Sequence, residues 1–236
     1  MIRKPTRHLG HVDVAYSKKH WQLLRRLRCE AVELMKILDV SNLPAVTHGS
    51  IARGDVTVKS DIDVFVSNSP SSFAIETALD RAGVQISKRV IIQATPHHVL
   101  KGYIEIGDRK TISFPLAKMT QIERGFYRFG GEIYLKGLRS DLRVVGVDKR
   151  LMLIVPTAKG HVESNIVGRE EEVARLLEIS AETVFDRVRA LLRRDKLGRT
   201  GVFIKRMLHS EETFEMALKR LAETKPEVRR RLRYYR

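Results

Sequence analysis

His48-Gly49-Ser50-Ile51-Ala52-Arg53-Gly54-Asp55-Val56-Thr57-Val58-Lys59-Ser60-Asp61-Ile62-Asp63-Val64-Phe65-Val66 holds two signals in one stretch. The first is a polar turn at Gly49-Ser50 that follows a short apolar run, Ala45 to Thr47. The second, after a linker of ten residues, is a run from Asp61 to Val66 in which acid and apolar residues alternate. Alternation with a period of two predicts a strand, and on a strand Asp61 and Asp63 point to one face while Ile62 and Val64 enter the core. Two carboxylates on one face repel unless a cation lies between them. Hard oxygen donors on a rigid strand suit Mg2+, which keeps several waters and completes its shell with substrate phosphates.

Gly49 and Ser50 supply the complementary half. A glycine at a strand-to-helix turn lets the backbone approach a phosphate, and the helix start behind it offers N–H groups with no partner inside the helix. The Ser50 hydroxyl adds a donor. Arg53, one helical turn on, is placed to contact phosphate or to pin the carboxylate loop. The combination predicts attack of an acceptor hydroxyl on the α-phosphorus of a triphosphate, with pyrophosphate leaving.

Gly-Ser, a spacer and Asp-x-Asp on a strand resemble the DNA polymerase beta-like nucleotidyltransferase superfamily, and the wording Gly49-Ser50-x-Ala52-Arg53-Gly54 with Ser60-Asp61-Ile62-Asp63-Val64 is similar to its minimal and archaeal members. The resemblance implies Asp61 and Asp63 as metal ligands and catalytic residues, Gly49, Ser50 and Arg53 at the nucleotide, and Mg2+ with a nucleoside triphosphate, ATP first, as partners. It also implies a third carboxylate on a neighbouring strand. The run Thr111-Ile112-Ser113-Phe114-Pro115 stands where relatives carry that acid, and it holds none. A hairpin closed over Asp108 and Arg109 pairs Gly107 with Lys110 and Glu105 with Ile112, which brings Glu105 forward as the stand-in acid.

Around this centre, Lys18 to Leu38 reads as an amphipathic helix with Trp21, Leu24, Leu27, Leu34, Ile37 and Leu38 inward. Ser69 to Ser72 gives the N-cap of a helix that ends at Gly83, followed by strands at Val84 to Ile92, Tyr103 to Ile106 and Thr111 to Phe114. The fold class is α+β: a small mixed sheet with flanking helices over residues 1–158, and a mainly helical domain over 159–236. In the second, Ser180 caps a helix running to about Arg194, and Lys196 to Ile204 reads as a hairpin. That pattern resembles a winged helix-turn-helix module, with Thr183, Arg187 and Arg194 outward and Arg199 at the tip of the wing as nucleic-acid contacts. The tail from Glu227 to Arg236 offers Arg229, Arg230, Arg231 and Arg233 to phosphate, or is a solvated end.

Charge agrees with an anionic partner. Lys plus Arg number 44 against 28 Asp plus Glu, a net +16, and the excess is spread along the chain rather than held in one tail. The single cysteine, Cys29, excludes an internal disulfide and reads as a buried small hydrophobe. His48, His97 and His98 have no partners at zinc spacing, and Lys59 reads as an exposed loop lysine. No apolar run is long enough for a membrane helix and none follows the basic start, so the expected location is the cytoplasm. The activity expected is metal-dependent transfer of a nucleoside monophosphate to an acceptor hydroxyl on RNA, on a protein side chain or on a small molecule. The alternatives are a nucleotide-sensing DNA-binding regulator with an inactive transferase site, and a structural RNA-binding protein.

Overall fold

In a computed structural model, described here for residues 10–68, 71–198 and 201–234, the chain divides into two compact units. One gathers residues 1–32, 47–60 and 121–200, and the other 33–46, 61–120 and 201–236. Each interleaves distant parts of the sequence, so neither corresponds to the expected halves 1–158 and 159–236.

The second unit is built on a mixed sheet. Strands β3 (Ile62–Val66), β4 (Lys88–Gln93), β5 (Lys101–Ile106), β6 (Lys110–Pro115) and β11 (Ile204–Met207) lie in the order β11-β4-β5-β6-β3, and β2 (Ala45–His48) follows β3. Only β3 and β6 run parallel among the registered pairs, and the others are antiparallel. Ile62, Val64, Ile112, Phe114, Ile104 and Ile91 share one face and are wholly or almost wholly buried. The helices that belong to this unit contribute Ile75 and Leu79 of α3 (Ser72–Arg81), and Phe214 and Leu221 of α8 (Phe214–Thr224), to its core. Phe114 and Phe214 meet edge to face at 5.1 Å. The start of α3 is held by an acid: Glu215 accepts from the Ser72 N–H at 3.0 Å and from its hydroxyl at 2.9 Å, a carboxylate at the positive end of a helix.

The first unit has a four-stranded antiparallel sheet, β1 (Val12–Ala15), β10 (Gly160–Asn165), β9 (Met152–Thr157) and β8 (Gly146–Val147), in that order, and also holds the short β7 (Glu132–Tyr134) and α5 (Leu135–Arg139). The turn around Lys159, read as a domain boundary, is the hairpin turn between β9 and β10. That expectation is corrected. A change of period from strand to helix looks like a boundary in sequence, although here both sides bury the same core. Val147, Leu151, Leu153 and Ile166 pack with Phe129 of α4 (Gln121–Phe129), with Val173 and Ala174 of α6 (Glu170–Leu176), and with Val184, Val188 and Leu191 of α7 (Ala181–Leu197).

Helix α1 (Lys18–Val40) runs through both stretches, burying Leu24, Leu27, Arg28 and Ala31 in its first part and Leu34, Met35 and Leu38 in its second. Cys29 is exposed, contrary to expectation, because it falls on the outward side with Arg25 and Arg26. No helix among the described residues is long and apolar enough to cross a membrane.

Candidate active site

Asp61 stands directly before β3 and is exposed, while Asp63 lies within the strand and is half-buried. Between and after them Ile62 and Val64 are 1% and 0% exposed. This alternation is what the sequence predicts for two acids on one side of a strand. The chain is fixed where the acids begin, since the Ile62 N–H donates to the Arg109 carbonyl at 2.8 Å.

On the same unit, the face of Asp63 can be followed across the sheet. Asp63 is opposite Thr111 of β6, Thr111 is opposite Glu105 of β5, and Glu105 is opposite Lys88 of β4. Directly opposed residues share a face, so Asp63, Thr111 and Glu105 form one cross-strand row. The expected register was off by one: Glu105 pairs with Thr111 rather than Ile112, and Ile106 rather than Gly107 faces Lys110. The reason is local. Gly107 takes a positive φ of 59°, leaves the strand, and gives its N–H to the Ser87 hydroxyl at 3.0 Å. The corrected register puts Glu105 on the Asp63 face two strands away, with its carboxylate 3.5 Å from Lys88 Nζ. In the next row on this face, Tyr103 lies opposite Ser113, which lies opposite Phe65. Burial, reinforced by the negative charge of Asp63, pushes the Tyr103 phenol up to about 12, so a neutral hydroxyl stands within the field of that acid.

In the other unit, Gly49 opens a single helical turn, α2 (Ser50–Arg53), with φ 79° and ψ −143°. A Cβ there would meet nothing within 4 Å, so what excludes other residues is the backbone conformation alone. Gly49→Ala is therefore expected to cost about 1 to 3 kcal/mol of strain, read as a lowered denaturation midpoint. An unchanged midpoint would show that the turn relaxes freely. The Gly49 N–H donates to the Gly131 carbonyl at 2.9 Å. The Ser50 hydroxyl donates to Ser60 Oγ at 3.1 Å, and the same oxygen accepts the Thr57 N–H at 2.9 Å. Ser60 immediately precedes Asp61 in the chain, so this bond ties the turn to the residue next to the first acid.

Arg53 does not present itself to solvent. It is 5% exposed and spends its guanidinium on the Gly130 carbonyl at 2.5 Å, the Val147 carbonyl at 3.4 Å and the Asp55 carboxylate at 2.8 Å. Of its two expected roles, the structure favours pinning the loop, and the assignment to nucleotide is corrected. Behind it Arg28, 4% exposed, donates to the Ile51 and Ala52 carbonyls at 3.0 Å each. Burial pulls the Arg28 guanidinium down to about 10, against the opposing charge of Asp141. Neither Arg28 nor the Gly130-Gly131 pair stood out in the sequence. A doubled glycine just after an amphipathic helix was the available sign.

The expected nucleic-acid face of the C-terminal region changes more. Ser180 does cap α7, accepting the Thr183 N–H at 3.2 Å, and α6 and α7 share one core through Val173, Ala174, Val184 and Val188. Thr183 is 1% exposed, however, and Arg187 lies over the Phe126 ring at 4.7 Å and the Phe129 ring at 6.0 Å, with burial lowering its guanidinium. Both are turned toward α4, Thr183 buried and Arg187 half-buried. Helical periodicity marks the side that is apolar, but a guanidinium stacked on aromatic rings also belongs to a packed side. Arg194 is exposed. Arg199 falls outside the described residues. The tip of the expected wing, residues 199 and 200, lies outside the described residues; before it α7 continues to Leu197, and after it β11 pairs antiparallel with β4. The tail is helical too. In α9 (Pro226–Tyr234) Arg231 donates to the His97 and Lys118 carbonyls, both at 3.1 Å, and Arg229 to those of Ala222 and Glu223. His48 packs against the Phe126 and Tyr127 rings, and Lys59 is exposed.

Residues 28–118 match the family model of the nucleotidyltransferase domain. The match contains the Gly49 turn, both acids, Tyr103, Glu105 and Ser113, and it leaves more than half of the chain outside. No curated protein matches the sequence significantly. Among solved structures, the complex of a CCA-adding enzyme with ATP aligns with 94% of this chain at 16% identity and a TM-score of 0.36. The chain spans about half the length of that enzyme, 50%, and the score is too low to transfer any of its features.

The donor set fits a hard divalent cation bound together with substrate. Asp61 and Asp63 offer only carboxylate oxygens, and no cluster of three or more His, Cys, Asp or Glu gathers among the described residues. One or two carboxylates completed by phosphate and water is the mode of Mg2+ rather than of Zn2+ or Ca2+.

Proposed function

We propose that the chain is a metal-dependent nucleotidyltransferase that moves a nucleoside monophosphate from a triphosphate, ATP first, to an acceptor hydroxyl. The observation that carries this reading is the pair Asp61 and Asp63 at the open side of β3, inside the stretch that matches a nucleotidyltransferase domain. Asp61 and Asp63 would hold Mg2+, which when bound offsets the negative charge of the triphosphate and of the leaving pyrophosphate. Gly49 would let the main chain approach the phosphates, and the Ser50 hydroxyl, which donates to Ser60 Oγ, would offer a donor to a phosphate oxygen. Arg53 and Asp55 hold the linker that joins the turn to the acids.

Glu105 is the proposed proton acceptor for the attacking hydroxyl. Its place in the row Asp63-Thr111-Glu105 supports this, because two strand spacings of ~4.8 Å leave a gap that the two side chains and a substrate oxygen can fill. Glu105→Gln is expected to lower kcat by about a hundredfold with the fold intact, the usual worth of a positioned base. A variant that transfers at the full rate would remove Glu105 from the mechanism.

Incubation of the protein with labelled nucleoside triphosphates and Mg2+, with and without total RNA, tests the activity. Label retained on RNA, protein or a small molecule supports transfer and names the acceptor class. The second reading, a nucleotide-sensing regulator, is favoured by one feature: β6 carries Thr111 and Ser113, not an acid, on the Asp63 face. It predicts triphosphate binding with no turnover and a protected site on duplex DNA.

A further inference from the structure

The first unit contains a groove that the transfer site does not use. Its volume is about 550 Å³, and it is lined by Lys19, His20, Gln22, Leu23 and Arg26 of α1 together with Val56, Thr57 and Val58 of the linker. Positions 19, 22, 23 and 26 fall on one stripe of a helix. Lys19, Gln22 and Arg26 are exposed, Leu23 is half-buried, Val56 forms a 3% exposed floor, and Val58 stands 67% exposed on the opposite wall. The walls are joined at one end, where His20 Nε2 hydrogen-bonds the Gly54 carbonyl at 2.8 Å. No acid lines the groove. Lys18 and Arg25 stand exposed beside it on the same helix, and no acid occurs from Lys18 to Cys29.

We infer that this groove holds the sugar–phosphate chain of a nucleic-acid acceptor. The inference rests on the transferase reading for the word acceptor, but the binding surface is argued from the groove alone. Lys19 and Arg26 are seven residues apart, ~10 Å along the helix axis. They are spread along the groove instead of converging on a point, as donors around the polyphosphate of a single nucleotide would. Between and opposite them stand apolar surfaces, Leu23, Val56 and Val58. Cation, apolar surface, cation is the pattern of a phosphodiester strand, in which phosphates alternate with sugars and bases, and such strands are held by a basic groove with apolar surface for the intervening parts. An acidic peptide would satisfy the cations but has no repeat that calls for the apolar interval. The far wall is also the linker whose Ser60 receives the Ser50 hydroxyl, so a strand lying against residues 56–58 follows the segment that leads along the chain to Asp61.

The test uses the full chain without triphosphate or Mg2+, with fluorescence anisotropy of a short labelled single-stranded RNA, a DNA of the same sequence and an oligoglutamate peptide. Wild type is expected to bind the nucleic acid, with affinity falling as salt rises. Lys19→Glu/Arg26→Glu is expected to weaken binding by at least about tenfold and to reduce the salt slope by about 1.4, the loss of two phosphate contacts on a single strand. Lys36→Glu, an exposed charge on the same helix outside the groove, should leave both unchanged. RNA and DNA that bind alike place recognition on the phosphate chain, and RNA that binds better adds the 2′-hydroxyl to it. Wild-type binding by the double variant, or equal binding of the peptide, overturns the proposal. The transferase reading fails separately: if oligonucleotide binding depends on the groove but no label is transferred to any acceptor, the groove stands and the enzyme does not. If label is transferred and the double variant binds the oligonucleotide as wild type does, the enzyme stands and the groove does not.

Discussion

Asp61→Asn and Asp63→Asn are each expected to reduce magnesium-dependent transfer by at least about a thousandfold, which corresponds to about 4 kcal/mol of transition-state stabilisation. Asn keeps the shape of Asp and removes its charge, so what would be lost, on the proposed reading, is the pair's hold on a divalent cation next to a triphosphate. Neither position belongs to the buried core: Asp61 is exposed and Asp63 half-buried. The variants should therefore fold with far-ultraviolet circular dichroism like that of wild type, which separates loss of chemistry from loss of structure. A further consequence distinguishes the metal role from a merely electrostatic one. Wild type should show saturable dependence on Mg2+ and a rise in thermal stability when Mg2+ and a non-hydrolysable triphosphate are added together. In both variants that rise should disappear. Transfer at near wild-type rates in either variant would end the assignment, and so would a triphosphate-dependent rise in stability that needs no metal.

How far the sequence foretold the molecule depends on whether a signal was local or required knowing what packs against it. The acid pair, the Gly49 turn, helix α1 and the Ser180 cap were legible because each follows from spacing or from a single side chain bonding its own backbone. The β5–β6 register was missed by one residue because a positive φ at Gly107, available to any loop glycine, decides where the strand stops. Arg187 was read as an outward cation and Arg53 as a phosphate contact or a pin of the loop, and Arg28 drew no reading; Arg28 and Arg53 are buried, and Arg187 is half-buried. Nothing in a lone sequence marks which guanidinium will be enclosed, since the carbonyls and rings that receive it come from elsewhere: Gly130 and Val147 for Arg53, and Phe126 and Phe129 for Arg187. The unit division was hidden for the same reason. Strand β1 pairs with β10 across most of the length of the N-terminal two thirds, and β11 pairs with β4, more than a hundred residues earlier in the chain. Such long-range pairings leave no trace in local periodicity. The candidate site was thus more legible than its support: the sequence named the acids and the turn, and the structure supplied what holds the turn in place.

Arg53→Met is expected to lower stability by about 3 to 5 kcal/mol, the cost of removing one partner from a buried charged pair. The side chains of Arg53 and Asp55 are 6% and 14% exposed, and their nitrogen and oxygen lie 2.8 Å apart. Without the guanidinium, Asp55 keeps a charge that water scarcely reaches, and the Gly130 and Val147 carbonyls lose a donor. Methionine fills much of the stem's volume, so the cost falls on charge and hydrogen bonds rather than on a cavity. Arg53→Lys keeps the charge but not the planar fork, and it should lie between wild type and Arg53→Met, because one ammonium cannot serve two carbonyls and a carboxylate set around a guanidinium. Adding Asp55→Asn to Arg53→Met should recover part of the loss, since the stranded charge is gone, and that non-additivity in a double-mutant cycle is the mark of a direct pair. Denaturant midpoints measured without nucleotide decide the matter. If Arg53 were a phosphate ligand, its replacement would leave the free protein as stable as wild type and raise KM for the triphosphate alone. As the pin of the linker between the Gly49 turn and Asp61, its loss should appear in the free protein first, with weaker triphosphate binding following from the loosened linker.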